Sequence, residues 1–124
     1  MAFANTPSLS EISLPSSMET IGEGTFTLSG IYEITVPGNV KSVERQLFST
    51  CSNLKSVTIE EGTEIINNKA FEDCQSLLTV EIPSSVQEIG ALAFMYSENA
   101  TVVAPAGSVA EAFARENGIS FTAK

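Results

Sequence analysis

Cys51 and Cys74 stand 23 residues apart, and their thiols are the most reactive groups in the sequence. A thiol performs redox or nucleophilic chemistry only as an accessible thiolate, held by a base or a cationic neighbour. The 124 residues contain no histidine, which removes Ser-His-Asp and Cys-His machinery together with the commonest zinc ligand. On adjacent stacked segments the two cysteines would lie about 5 Å apart, the spacing of neighbouring strands. Side chains stacked in this way point in parallel, so two buried free thiols are expected rather than a disulfide.

Carboxylates offer two further chemistries. A pair flanking a pocket could hydrolyse a glycoside, yet the acidic residues are spread over turns and strand faces with nothing to converge two of them. Glu60-Glu61-Gly62-Thr63-Glu64 and Glu72-Asp73 could supply oxygens to calcium, but no Asp-x-Asp-x-Asp loop is present. No catalytic residue, metal site or cofactor is expected. Asn99-Ala100-Thr101 is a glycosylation sequon, relevant only to a eukaryotic source.

Acidic residues outnumber basic ones 15 to 6, a formal net charge of −9. Such a surface repels nucleic acid and anionic membranes, and no apolar run approaches the roughly 20 residues that span a bilayer. Neither nucleic-acid binding nor membrane insertion is expected. The N-terminus, Met1-Ala2-Phe3-Ala4-Asn5, has no signal-peptide pattern.

The elements that position these side chains come from a repeat. Phenylalanine returns at Phe3, Phe26, Phe48, Phe71 and Phe94, at intervals of 23, 22, 23 and 23. Periods of this length mark solenoids, whose coils bury apolar side chains against their neighbours. Stacked, regularly spaced Phe is core. In each repeat a short stretch alternates apolar, polar, apolar: Ile12-Ser13-Leu14, Ile34-Thr35-Val36, Val57-Thr58-Ile59 and Val80-Glu81-Ile82. This is the mark of a strand with one buried face, and one such strand per coil predicts a parallel sheet, with Val102 in a fifth. Pro15, Pro37, Pro83 and Pro105 end the strands, and Gly62 supplies the bend where Glu60 replaces proline.

The pattern changes after residue 105. Ser108-Val109-Ala110-Glu111 reads as a capping box, Val109 and Phe113 share a helix face, and Gly118 is a stop. Ile119-Ser120-Phe121 reads as a last strand. The helix is expected to shield the final coil and its strand edge. Phe3 already occupies the anchor position, so the chain reads as the C-terminal part of a longer array, its first coil incomplete.

Residues 70–90 carry Ala70, Phe71, Cys74, Leu77, Val80, Ile82, Pro83, Val86, Ile89 and Gly90. This spacing resembles the BspA-type leucine-rich repeat, and Pro105-Ala106-Gly107-Ser108 to Asn117-Gly118-Ile119 resembles the ending common in that family. Departures fall at Thr6 and Ser29 for Cys, Glu60 for Pro and Asn67 for Gly. The resemblance implies a right-handed leucine-rich-repeat solenoid of about five coils: repeats over 1–105 and a helical cap over 106–124, in one domain spanning 1–124. It further implies a secreted or cell-surface microbial protein that attaches to host or microbial surface proteins without catalysis.

The candidate binding face is the outward side of the strands: Glu11, Ser13, Glu33, Thr35, Ser56, Thr58, Thr79 and Glu81. It is small, polar and rich in hydroxyls, with acid at Glu11, Glu33 and Glu81 suited to a basic partner. Lys41, Ser42, Gln87 and Glu88 fall on a separate outer segment. Five strands at about 4.8 Å and three residues at about 3.3 Å give a patch of ~240 Å². A standard interface takes about 800 Å² per partner, so a structural spacer or terminal cap, with recognition elsewhere, is the alternative. A monomer is expected, with pairing possible through the open edge of the N-terminal coil.

Overall fold

The computed structural model describes residues 14–27 and 30–124. Phe3, Thr6, Glu11, Ile12, Ser13 and Ser29 lie outside the described residues, as does most of the expected first coil.

The alternating triplets form the expected strands: β1 (Glu33–Val36), β3 (Ser56–Ile59), β5 (Thr79–Glu81) and β7 (Thr101–Ala104). Ile34, Val36, Val57, Ile59, Val80, Val102 and Ala104 point into the core. Burying one side of every strand fixes the register, because a slip of one residue would turn the apolar set outward. The pairing is parallel and in step, with Ile34 beside Val57, Val57 beside Val80 and Val80 beside Val102.

Each middle coil also carries a second, two-residue strand. β2 (Ser42–Val43), β4 (Ile65–Ile66) and β6 (Glu88–Ile89) form a separate three-stranded parallel sheet. The outer segment anticipated at Ser42 and Glu88 is this sheet. Two residues are too few for alternation to show in the sequence.

Between the sheets runs the aromatic column. Phe26, Phe48 and Phe71 are fully buried and Phe94 nearly so. Their rings stack 5.6, 5.4 and 5.0 Å apart at interplanar angles of 9–12°. The stack does not stop with the last coil. Phe113 of α1 (Val109–Glu116) takes the next place, 5.9 Å from Phe94 and tilted by 47°.

Beside the rings lies a ladder of small polar groups. The Cys51 thiol donates to the Phe26 carbonyl at 2.9 Å, and the Cys74 thiol to that of Phe48 at 3.0 Å. In the next coil the Ser97 hydroxyl makes the same bond to Phe71. Both cysteines are free and buried. Burial, and then the neighbouring Cys51, push the Cys74 thiol far above the ordinary range, so it stays protonated. The expected pair of inert thiols is what the fold contains.

Turns are held by unusual backbone angles. Gln46, Thr50, Lys69, Asp73 and Tyr96 all have positive φ, between 55° and 64°. At Thr50 and Asp73 this conformation sends the N–H to the next coil, to the Glu72 and Met95 carbonyls at 2.7 Å. Gly62 bends the third coil at φ +123°, as its place after Glu60 predicts. Gly38 packs so closely on that bend that an added Cβ would sit on the Glu61 carbonyl oxygen.

The capping helix differs from its expected form in three details. Ser108 caps it, accepting from the Glu111 N–H at 3.2 Å, but the Glu111 carboxylate reaches past Ser108 to the Gly107 N–H at 2.7 Å. That bond, and then Arg115, hold the Glu111 carboxyl below the ordinary carboxylate range. The buried face is Ala110, Phe113 and Ala114, while Val109 is exposed. The helix ends in a Schellman turn, Ile119 N–H to Ala114 carbonyl, with Gly118 at φ +67°. β8 (Ser120–Ala123) then pairs parallel with β7. The edge of the larger sheet is thereby moved outward to β8 rather than covered by the helix.

Candidate protein-binding face

Outward-pointing residues of the larger sheet form two rows. One contains Glu33, Ser56, Thr79, Thr101 and Ser120, and the other Thr35, Thr58, Glu81, Val103 and Thr122. The structure thus brings together Glu33, Thr35, Ser56, Thr58, Thr79 and Glu81. Glu11 and Ser13 lie outside the described residues. In-register parallel pairing produces the rows directly, since equivalent positions of successive coils stand side by side.

Hydroxyls in the rows bond to one another along the stack. Thr79 Oγ1 lies 3.4 Å from Ser56 Oγ, and Thr58 Oγ1 donates to Glu81 Oε2 at 3.3 Å. Cross-strand contacts of this kind are worth a few tenths of a kcal/mol up to ~1 kcal/mol. They fix side-chain directions on the face.

Charge on the described part of the face is mixed rather than wholly acidic. Lys124 Nζ sits 3.1 Å from Glu81 Oε1, so the acid in the centre of the face is paired. The chain end holds this lysine in place, its N–H donating to the Ala104 carbonyl at 2.9 Å. Lys55 is exposed one residue before β3, in the position next to Tyr32 across the ladder. Among the described residues, Glu33 is the one carboxylate of the face without an ion pair. The described part of the face, with Lys55 and Lys124 beside Glu33 and Glu81, is close to neutral.

Tyr32 and Leu78 flank Lys55 at the margin and expose 41% and 54% of their surfaces. Both precede the strands proper, so alternation could not reveal their direction. Thr101 continues the row of Ser56 and Thr79 at an offset of 22 rather than 23, so the repeat length alone points to Val102 instead. Nothing in the sequence signals that Lys124 returns to Glu81.

The acidic turns considered for calcium have other partners. Glu61 accepts from Ser84 Oγ at 3.0 and 3.1 Å, and Glu72 from Ser49 Oγ at 3.1 Å, each across one coil. No group of three or more His, Cys, Asp or Glu side chains comes together as a ligand set among the described residues. No helix there is long and apolar enough to cross a membrane.

A family model for the BspA-type leucine-rich repeat region matches residues 1–106, in six copies. The chain belongs to the BspA-type leucine-rich repeat family. A solved leucine-rich repeat protein from Bacteroides ovatus is similar at 18% identity, over 86% of this chain and 45% of that one, with a TM-score of 0.36. The BspA-type chain therefore spans less than half of that protein's length. No curated protein matches it.

Proposed function

We propose that this domain is a non-enzymatic protein-binding module of a secreted or surface-anchored microbial protein, binding through the outer face of its larger sheet. The observation that carries this reading is the pair of in-register polar rows across five strands, bordered by exposed Tyr32 and Leu78. Exposed tyrosine beside a polar, partly pre-ordered surface is the composition of a binding centre, because tyrosine adds contact area at little entropic cost. The family resemblance supports the location and the adhesive role.

Near-neutrality of the described part of the face shifts the chemistry of the partner. Recognition by hydroxyls and Tyr32 replaces recognition by acid alone, so salt should weaken binding only modestly. The test is a screen of the purified chain against extracellular-matrix and microbial surface proteins, with Thr79→Arg and Tyr32→Ala variants alongside. Binding that both variants lose places the site on this face. Binding that neither alters removes the face from consideration.

A second reading rests on area. Five strands of about four residues cover roughly 320 Å² at standard spacings, well under the ~800 Å² per partner of a stable interface. On that count the domain serves as a spacer or terminal cap, with recognition in other coils. Binding by a longer chain of the parent protein, and not by this one, would select it.

A further inference from the structure

Six residues of this acidic chain are basic, and two of them share a site. Arg115 and Lys124 sit in ion pairs, Lys41 donates to the Gly62 carbonyl, and Lys55 lies at the margin of the larger sheet. Arg45 and Lys69 instead line one hollow of about 400 Å³ together with Asn67, Asn68 and Leu92. It lies where β2, β4 and β6 run into the turns that follow them. No carboxylate lines it. Glu44 is next to Arg45 in the chain, and Glu23 holds its place in the preceding coil. Among the described residues neither acid forms an ion pair with Arg45 or Lys69.

Hydrogen bonds set the shape of the hollow before anything enters it. Asn68 Oδ1 accepts from the Leu92 N–H at 3.0 Å, and the Lys69 N–H donates to the Leu92 carbonyl at 3.2 Å. Gly90 makes room for this arrangement, since an added Cβ would sit on Asn68 Oδ1. With its oxygen held, Asn68 keeps Nδ2 as a donor that has no acceptor among the described residues. Asn67 is held the other way round. Its Nδ2 donates to Ser42 Oγ at 2.8 Å and to the Val43 carbonyl at 3.3 Å, which leaves Oδ1 as an acceptor. Leu92 is exposed beside them. None of the five residues belongs to the recurring apolar pattern, and Asn67 stands where the next coil has Gly90.

We propose that this hollow binds the C-terminus of a partner peptide whose last residue is apolar. The carboxylate lies between the Arg45 guanidinium, whose fork can meet both oxygens, and the Lys69 ammonium. The last peptide N–H donates to Asn67 Oδ1, a peptide carbonyl accepts from Asn68 Nδ2, and the last side chain covers Leu92. A peptide end carries a match for every free group in the hollow, whereas an inorganic anion uses only the cations. Two cations without an acid reverse the local charge on a chain of net charge −9, so an anion is drawn here and repelled elsewhere. The site is on the side of the smaller sheet and is independent of the face proposed above.

The probe is the peptide Ac-Ala-Ser-Gly-Leu with a free carboxylate, titrated into the isotope-labelled chain and followed by backbone and Asn side-chain amide shifts. Saturable changes are expected at Arg45, Asn67–Lys69 and Leu92, with little change in β1 or β3. The same peptide ending in an amide should bind at least tenfold more weakly, and Ac-Ala-Ser-Gly-Ser several-fold more weakly. Arg45→Gln and Lys69→Gln should each weaken binding several-fold, with the Phe ring signals reporting an intact stack. Gln46 holds the position of Lys69 in the preceding coil at nearly the same φ, 59° against 64°, so Lys69→Gln keeps the turn. Added salt should weaken binding as well. The strand-face variant Thr79→Arg should bind the probe as the parent chain does, so failure of one site is separable from failure of the other. Equal binding by the acid and the amide, equal binding by Ac-Ala-Asp-Gly-Leu-NH2 with its internal carboxylate, displacement by an equal concentration of sulfate, or no shift at millimolar peptide would each overturn the proposal.

Discussion

Phe48 and Phe71 are nearly interchangeable: both are fully buried, each stacks on a ring above and below, and each carbonyl is capped by a thiol or hydroxyl from the following coil. Thr58 and Glu81, one coil apart on the outer face, are equivalent in position and opposite in chemistry. The same 23-residue period serves both places. Inside, each coil must fill the same volume, so the period repeats a side chain. Outside, water accepts any polar group, so the period repeats only a position. Stability is stored in what recurs, and recognition in what changes.

The sharpest way to break this contrast is to damage the interior. Phe71→Ala opens a cavity between two stacked rings and should cost ~3–5 kcal/mol in urea unfolding, enough to disorder the neighbouring coils. Gly38→Ala drives a Cβ into the Glu61 carbonyl and should cost ~1–3 kcal/mol or more by the same measurement, through displacement of the Gly62 bend. Cys74→Val removes the thiol donor and leaves the Phe48 carbonyl with the Cys51 N–H alone, for an expected loss of ~0.5–1.5 kcal/mol. Cys74→Ser restores the donor in the form that Ser97 already uses and should lose less than the valine variant. Equal losses from Val and Ser would show that the ladder bond contributes nothing.

Alkaline pH tests the same ladder without mutation. An unfolded thiol ionises near pH 8.5, whereas burial raises the Cys74 value in the folded chain. The folded state therefore holds its proton longer, and this contribution is fully present below about pH 8.5 and falls as pH rises above it. Denaturation midpoints should drop between pH 8 and 10, and Cys74→Ser should flatten that slope. The smallest effect belongs to the outer face. Thr58→Ala should change stability by no more than ~0.5 kcal/mol, while altering any partner that reads the second row.

What the sequence disclosed follows from the same contrast. The Phe column, the alternating strand triplets and the buried cysteines were legible because the interior forces one residue type at a fixed interval. The second sheet was visible only as an unassigned outer segment, since Ile65-Ile66 and Glu88-Ile89 are too short to alternate. The helix start was legible at Ser108, but not the reach of Glu111 to Gly107, which depends on a side-chain rotamer. Lys124 and Glu81 lie far apart in the chain and meet only through the β7–β8 register, so the pairing of Glu81 could not be read from composition.

The equal 23-residue offsets from β1 to β3 and from β3 to β5 carry a consequence for how such molecules change length. Ser56 already stands beside Thr79, and Val57 beside Val80. Excising residues 56–78 would join Lys55 to Thr79 and bring β1 and β5 together at the same step. Each coil touches only its neighbours, so the splice alters one pair of interfaces and nothing further away. Coil number is then a quantity that a genome can edit by unequal exchange without redesigning a core, and the outer rows, rather than the fold, are where such edits are felt.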